Sequence, residues 1–268
     1  MTIAELVAAS LAEDLGPLGD ITSALLPADA KAQASLVPRA DGVLAGREAA
    51  AEAFRQVDSS LVVTWLAVDG DSLGSGEPFA LIHGRLASIL TAERTALNFL
   101  CHLSGVATLT RRYADLARPA RIRDTRKTTP GLRTLEKAAV RAGGGVNHRG
   151  SLSDGVLVKD NHLGGLTIEE AVERARDLWP GRTVQIECDT VEQVQRALTA
   201  EADLVLLDNM SPDEVAACVD LVAGRCLVEV SGGVTLATVA AYAAAGADLI
   251  SVGALTHSAP VLDIGLDL

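Results

Sequence analysis

From residue 121 onward, short apolar runs alternate with amphipathic stretches. The runs at 121–124, 155–159, 184–188, 204–208, 227–230 and 248–252 predict strands. Most lie roughly 20–30 residues apart, the spacing of βα units. Between the later ones, Ala, Val and Leu stripes near 167–178, 190–200, 211–222 and 235–245 predict helices. Strands alternating with helices imply a parallel sheet, either a barrel or doubly wound. Earlier, Leu90, Leu97, Leu100 and Leu103 form one stripe and predict a long helix over about 88–116. Arg94 projects from that same stripe. The first 85 residues carry a helix pattern at 3–13, another at 47–56, and apolar segments near 33–38, 42–45, 61–68 and 79–83. Glycines punctuate these segments, so this region reads as a small α+β domain. One more helix is expected after Thr129-Pro130, read as an N-cap and a first-turn proline, with Gly143-Gly144-Gly145 as its stop.

Composition narrows the picture. The chain has 268 residues, enough for one large domain or two small ones. Aromatic residues are only 3%, so the apolar content is Ala-rich and suits tight helix packing. The four cysteines, Cys101, Cys188, Cys218 and Cys226, show no CxxC pair and no zinc spacing. They read as free thiols in a reducing compartment, which predicts a cytoplasmic protein. The N-terminus has acids and no basic n-region, so no signal peptide is expected. No stretch reads as a membrane span. No GxGxxG and no GxxxxGK[ST] occurs, which weakens dinucleotide and P-loop readings.

Charge changes the picture most. The net charge is −12, yet residues 121–162 hold nine of the 23 Lys and Arg and four of the 35 acids. A basic island in an acidic chain suggests a small, highly charged anion and no nucleic-acid face. Arg133, Lys137 and Arg141, at four-residue spacing, read as the solvated face of a helix. Arg126, Lys127, His148, Arg149 and Lys159 lie outside helices and read as functional. The later strands end at Glu187, at Asp208, at Ser231-Gly232-Gly233 and at Gly253. In a parallel barrel such ends converge on one face. Carboxylates beside phosphates usually hold Mg²⁺, and glycine turns at helix starts cradle phosphate.

Several segments together carry a family resemblance. AERTALNFLCHLSGVAT (92–108), DTRKTTPGLR, GGGVNHRGSLSDGVLVKDNH, QIEC, LLDNMSP, VEVSGG and ISVGALTHS resemble quinolinate phosphoribosyltransferase, in that order. The resemblance covers essentially the whole chain and is densest over 92–257. It implies an N-terminal α/β sandwich domain over 1–105, an incomplete, TIM-like parallel α/β barrel over 106–257, and 258–268 packing back on the first domain. It implies a homodimer, or a hexamer as a trimer of dimers. The implied reaction joins quinolinate to phosphoribosyl pyrophosphate and gives nicotinate mononucleotide, pyrophosphate and CO₂, with Mg²⁺. Arg126, His148, Arg149 and Lys159 would clamp quinolinate, joined by Arg94 from the neighbouring subunit. Thr125, Lys127, Ser231, Gly232, Gly233, Val252, Gly253 and Ala254 would hold phosphoribosyl pyrophosphate. Lys127, Glu187 and Asp208 would be catalytic, with Glu187 and Asp208 as metal ligands or as stabilisers of the ribosyl cation.

Two rival readings stay open from the residues. One is a homologous phosphoribosyltransferase with another acceptor, such as nicotinate. A single carboxylate needs fewer cations than the four offered here. The other is a phosphosugar-binding barrel without turnover, which would not need Glu187 and Asp208 together.

Overall fold

Residues 2–268 are described in the computed structural model. The elements, in chain order, are α1 (Ile3–Leu15), β1 (Lys31–Pro38), β2 (Gly42–Val43), α2 (Arg47–Val57), β3 (Val62–Trp65), β4 (Ser72–Leu73), β5 (Ala80–Arg85), α3 (Leu86–Leu116), β6 (Arg121–Arg123), α4 (Arg133–Ala142), β7 (Val156–Val158), α5 (Ile168–Leu178), β8 (Val184–Cys188), α6 (Val191–Thr199), β9 (Leu204–Asp208), α7 (Pro212–Val222), β10 (Leu227–Ser231), α8 (Val239–Ala244), β11 (Leu249–Ser251), α9 (Ala254–His257) and β12 (Ile264–Asp267). Capping boxes start four of the helices. Thr2 with Glu5 starts α1, Thr167 with Glu170 starts α5, Thr190 with Gln193 starts α6, and Ser211 with Glu214 starts α7. In each, the hydroxyl accepts an orphan backbone N–H, and the side chain of the third helical residue accepts from the cap residue's own N–H. Each such cap stabilises its helix by about 1 kcal/mol. Two of them, at Thr190 and Ser211, fix where the chain turns away from β8 and β9.

The first compact unit comprises residues up to Arg111, Thr129–Gly144 and Ser258–Leu268. Its sheet has the order β12-β1-β5-β3 and is antiparallel throughout. The C-terminal strand pairs with β1 in the register Ser35↔Asp267 to Pro38↔Ile264. Leu36 and Ile82 are fully buried in this sheet. On α2, Ala49, Ala50, Ala53 and Phe54 make a buried stripe. Small residues set close backbone approaches. A Cβ on Gly105 of α3 would sit 2.2 Å from the Pro260 carbonyl oxygen, and one on Gly143 would sit 2.4 Å from that of Ala107.

Residues 129–144 lie inside the expected 106–257 span yet group with the first unit. Helix α4 departs from expectation at its start. It begins at Arg133 with Leu132 at the cap position and no side-chain cap. Thr129, Pro130 and Gly131 form a turn instead, with Gly131 at φ +84°. Nor is its basic stripe wholly solvated: Arg141 is exposed, but Lys137 is 6% exposed. The helix buries Leu135, Ala139 and Val140, and Glu136 and Lys137 go in with them.

The second unit comprises Arg112–Thr128 and Gly145–His257. Its six strands are all parallel, in the order β6-β11-β10-β9-β8-β7. Strands β7 to β11 are successive neighbours, and β6 follows β11 instead of preceding β7. That is the cyclic order of a barrel; a doubly wound sheet reverses direction midway. A parallel bridge from Arg123 to Val146 extends the β6 edge, and β7 is the other edge. The sheet is thus an incomplete α/β barrel. Val184, Ile186 and Cys188 of β8 are buried among the helices, as are Val194 and Ala197 of α6 and Val215 and Cys218 of α7. By strand alternation, Gln185 and Glu187 point the opposite way, into the barrel.

Candidate active site

The parallel registers decide which side chains share the barrel interior. Glu187 pairs with Leu206, Leu206 with Glu229, and Asp208 with Ser231. Alternation then places Gln185, Glu187, Asp208, Glu229 and Ser231 on one face, with Arg123 at the end of β6. In an α/β barrel, the carboxyl ends of the strands are where ligands bind. The arrangement therefore brings together the strand-end acids and phosphate turns expected from sequence.

The segment after β6 carries Thr125, Arg126 and Lys127, and its backbone is tied down. Thr125 Oγ1 accepts from Lys127 N at 3.0 Å, the Arg126 carbonyl accepts from Thr128 N at 3.0 Å, and Thr256 Oγ1 donates to the Lys127 carbonyl at 2.8 Å. Gly253 lies beside it. A Cβ there would stand 3.2 Å from Lys127 Cδ and 3.1 Å from His257 Nε2. Glycine thus leaves room for Lys127 and His257 to approach one turn. Val252 is 2% exposed, and its N–H donates to the Arg123 carbonyl at 2.9 Å. It holds the turn and leaves Gly253 and Ala254 to face outward. At the end of β10, Gly232 (φ +92°) and Gly233 (φ +61°) adopt left-handed backbone, which glycine permits at no steric cost. A Cβ on Gly232 would lie 2.2 Å from Asn209 Oδ1.

Arg126 and Arg149 form the cationic part. The Nε atoms of both are buried and make no hydrogen bond within the protein. Arg149 Nη1 donates to the Gly155 carbonyl at 3.0 Å. Its pKa is lowered, first by burial and then by the neighbouring Arg126 charge, with Asp154 opposing. Two like charges held near each other and partly buried are costly unless an anion joins them. Arg149 also lines an apolar groove of about 700 Å³ between the 152–158 segment and α5.

Lys159 and Glu187, assigned to different ligands from sequence, are ion-paired with each other here. Asp208 Oδ2 accepts from Asn209 Nδ2 at 2.6 Å. No group of three metal-binding His, Cys, Asp or Glu side chains occurs among the described residues.

Behind these groups sits a buried polar cluster that the sequence reading did not pick out. Glu229 is fully buried, with Arg123 Nη1 at 2.7 Å, Gln185 Nε2 at 2.8 Å, and Ser251 Oγ also donating to it. The first two of these donors bond Oε2, and Ser251 bonds Oε1, from which His148 Nε2 lies 3.5 Å away. Asp124, also fully buried, accepts from Asn147 Nδ2 at 2.5 Å and from His148 N at 2.7 Å. A cavity of about 450 Å³ adjoins this cluster, with Arg121, Arg123 and Gln185 on its wall. The available signal was the position of Glu229 in VEVSGG, one alternation before Ser231 on an otherwise apolar strand.

Arg94, in the first unit, is 63% exposed and has Glu93 at 3.9 Å. His102 pairs with the fully buried Glu136 at 2.8 Å, and Glu136 also accepts from Thr129 N at 3.1 Å. His162 is a turn residue whose Nδ1 accepts from Lys159 N at 3.0 Å.

Known proteins resemble this chain over nearly its full length. The quinolinate phosphoribosyl transferase N-terminal domain matches residues 20–104, and the C-terminal domain of the same family matches residues 106–267. The nicotinate-nucleotide pyrophosphorylase [carboxylating] of Mycobacterium leprae is 44% identical, over 97% of this chain and 94% of that protein. The probable nicotinate-nucleotide pyrophosphorylase [carboxylating] of Bacillus subtilis is 41% identical, over 96% and 90%. Among solved structures, the nicotinate-nucleotide pyrophosphorylase of Francisella tularensis superposes with a TM-score of 0.95 at 38% identity, covering 99% of this chain and 95% of that one. The two-domain match over nearly the full length, the barrel order and the basic site together place the chain in the quinolinate phosphoribosyltransferase family.

Proposed function

We infer that this chain transfers the phosphoribosyl group of phosphoribosyl pyrophosphate to the ring nitrogen of quinolinate and removes the 2-carboxylate, giving nicotinate mononucleotide, pyrophosphate and CO₂. The observation that carries the reading is the Arg126–Arg149 pair, whose Nε atoms are buried without partners. A dianion with two adjacent carboxylates satisfies both guanidiniums at once, each by a bidentate, charge-assisted fork. Lys159 supplies a third cation once a carboxylate replaces Glu187 on its ammonium. The 5-phosphate sits against Ser231, Gly232, Gly233, Gly253 and Ala254. Thr125 and Lys127 take the pyrophosphate side.

The chemistry needs little covalent help. The pyridine lone pair attacks the anomeric carbon as the bond to pyrophosphate breaks, through an oxocarbenium-like state resembling that of glycoside cleavage. Holding the ring beneath that carbon removes an entropic barrier. Lys127 neutralises charge on the departing oxygens. Once alkylated, the ring nitrogen is cationic and stabilises the electron pair that stays on C2, as an ylide-like carbanion, when the bond from C2 to its carboxylate breaks. CO₂ departs, and C2 then takes a proton. Glu187 and Asp208, on neighbouring strands, fit Mg²⁺ in the two-carboxylate mode in which substrate phosphates and water complete the shell. Bound so, Mg²⁺ would neutralise part of the pyrophosphate charge. Arg94, exposed within one subunit and so off the buried leucine stripe, is read from the family resemblance as completing the quinolinate site of a neighbouring subunit in a homodimer. Four free cysteines suit a reducing, cytoplasmic setting.

The test is acceptor choice. Pyrophosphate release should require quinolinate, and nicotinate should not replace it. Release with nicotinate alone would favour the rival phosphoribosyltransferase. No release with either acceptor would favour a binding barrel.

A further inference from the structure

The segment Asn147-His148-Arg149 has no ladder of its own, because the strand pairing beside β6 stops at the Val146 bridge. Buried acids hold it instead. Asp124 accepts from the Asn147 side chain at 2.5 Å and from His148 N at 2.7 Å. His148 Nδ1 accepts from the Arg149 N–H at 2.6 Å, so that nitrogen carries no proton. The ring proton is therefore on Nε2, which faces Glu229 Oε1 at 3.5 Å. The ring is 9% exposed, and Glu229 is not exposed at all. Protonating Nδ1 would set two N–H groups against each other, in a place already carrying Arg123, Arg126 and Arg149. Asp124 faces the His148 backbone, and Glu229 faces its ring.

We propose that Glu229 is a positioning residue for the quinolinate clamp: through a neutral His148 held as the Nε2–H tautomer, it fixes the backbone from which Arg149 reaches the substrate. The clamp's charge then comes from Arg126, Arg149 and Lys159, and His148 is a link behind them. Glu229 touches no substrate. Four donors or near-donors converge on it from β6, β8, β11 and the 147–149 segment, so it also ties that segment to three strands. Groups one layer behind a ligand-holding residue fix its orientation and, where measured at metal sites, change affinity or activity about 10- to 100-fold when removed. This inference rests on the proposed quinolinate site, but its first test does not.

The experiment has two arms on the full-length protein. In the first, ¹⁵N-histidine-labelled wild type is examined by NMR near neutral pH, with a His148→Gln sample to assign the resonance among the five histidines. The expected signature is a pyridine-type Nδ1 and a pyrrole-type Nε2, retained when quinolinate binds. An imidazolium, or the opposite tautomer, would overturn the proposal whether or not quinolinate binds. In the second arm, Glu229→Gln is titrated by calorimetry with each substrate separately. Quinolinate affinity should fall about 10- to 100-fold while phosphoribosyl pyrophosphate affinity holds, and the His148 tautomer should no longer be uniform. Unchanged quinolinate affinity, or equal loss for both substrates, would also overturn it. Should Glu229→Gln fail to fold, the wild-type tautomer alone decides. If wild type binds no quinolinate, the proposed function fails while the tautomer still judges the His148 link.

Discussion

Arg149 concentrates what single residues contribute. Its guanidinium is half-buried, donates to one carbonyl and is pushed towards lower pKa by burial and by Arg126. Lys159 lies on the far side of β7 with its ammonium on Glu187. Arg149→Ala and Lys159→Ala should each weaken quinolinate binding by about 2–5 kcal/mol, the effect of truncating one side of a desolvated charge pair. Calorimetry with phosphoribosyl pyrophosphate should show little change for Arg149→Ala. Unchanged quinolinate affinity in both variants would remove them from the clamp. The cations were legible in the sequence because they fall outside helical stripes and beside glycines. Their buried supports were not. Glu229 and Asp124 each read as one acid near a strand end, and only tertiary packing shows that both lose all contact with water.

At the scale of elements, the strand ends and their turns do the arranging. Gly232 and Asn209 interlock: Asn209 N donates to the Ser231 carbonyl at 2.9 Å, and a Cβ on Gly232 would collide with the Asn209 side chain and backbone. Gly232→Ala should therefore displace Asn209 and the Asp208 carboxylate it contacts, on top of strain of order 1–3 kcal/mol from an alanine in a left-handed conformation. A fall in turnover with a lowered melting temperature is expected. Normal activity would show that the turn tolerates the shift. The paired acids of β8 and β9 give a separate prediction. Glu187→Gln and Asp208→Asn should lower turnover and raise the Mg²⁺ concentration needed, while quinolinate alone still binds. Identical Mg²⁺ titrations in wild type and both variants would count against metal ligation. The βα rhythm was readable because apolar runs and capping residues agree, as at Thr190 and Ser211. The start of α4 was misread at Thr129-Pro130. Its true start is stabilised by Glu136 reaching back to Thr129 N, a contact no local cap rule encodes.

At the scale of the whole molecule, the chain returns on itself, since β12 pairs with β1 across the full length of the sequence. The family motifs signalled that return; the hydrophobic pattern of four terminal residues could not. Arg94 belongs to this scale as well. Mixing Arg94→Ala with Lys159→Ala under proven subunit exchange should restore activity to about a quarter of wild type if Arg94 serves the neighbouring subunit, because half of randomly paired dimers are mixed and each has one intact site. No recovery would refute a shared site. The central claim, that the site alkylates quinolinate and then strips its 2-carboxylate, has one most direct measurement. Quinolinate labelled separately in each carboxyl group is incubated with the protein, phosphoribosyl pyrophosphate and Mg²⁺, and released CO₂ and pyrophosphate are counted. The account predicts labelled CO₂ from the 2-carboxyl substrate alone, equal in amount to the pyrophosphate released. Pyrophosphate without CO₂, or label lost from the 3-carboxyl position, would contradict it.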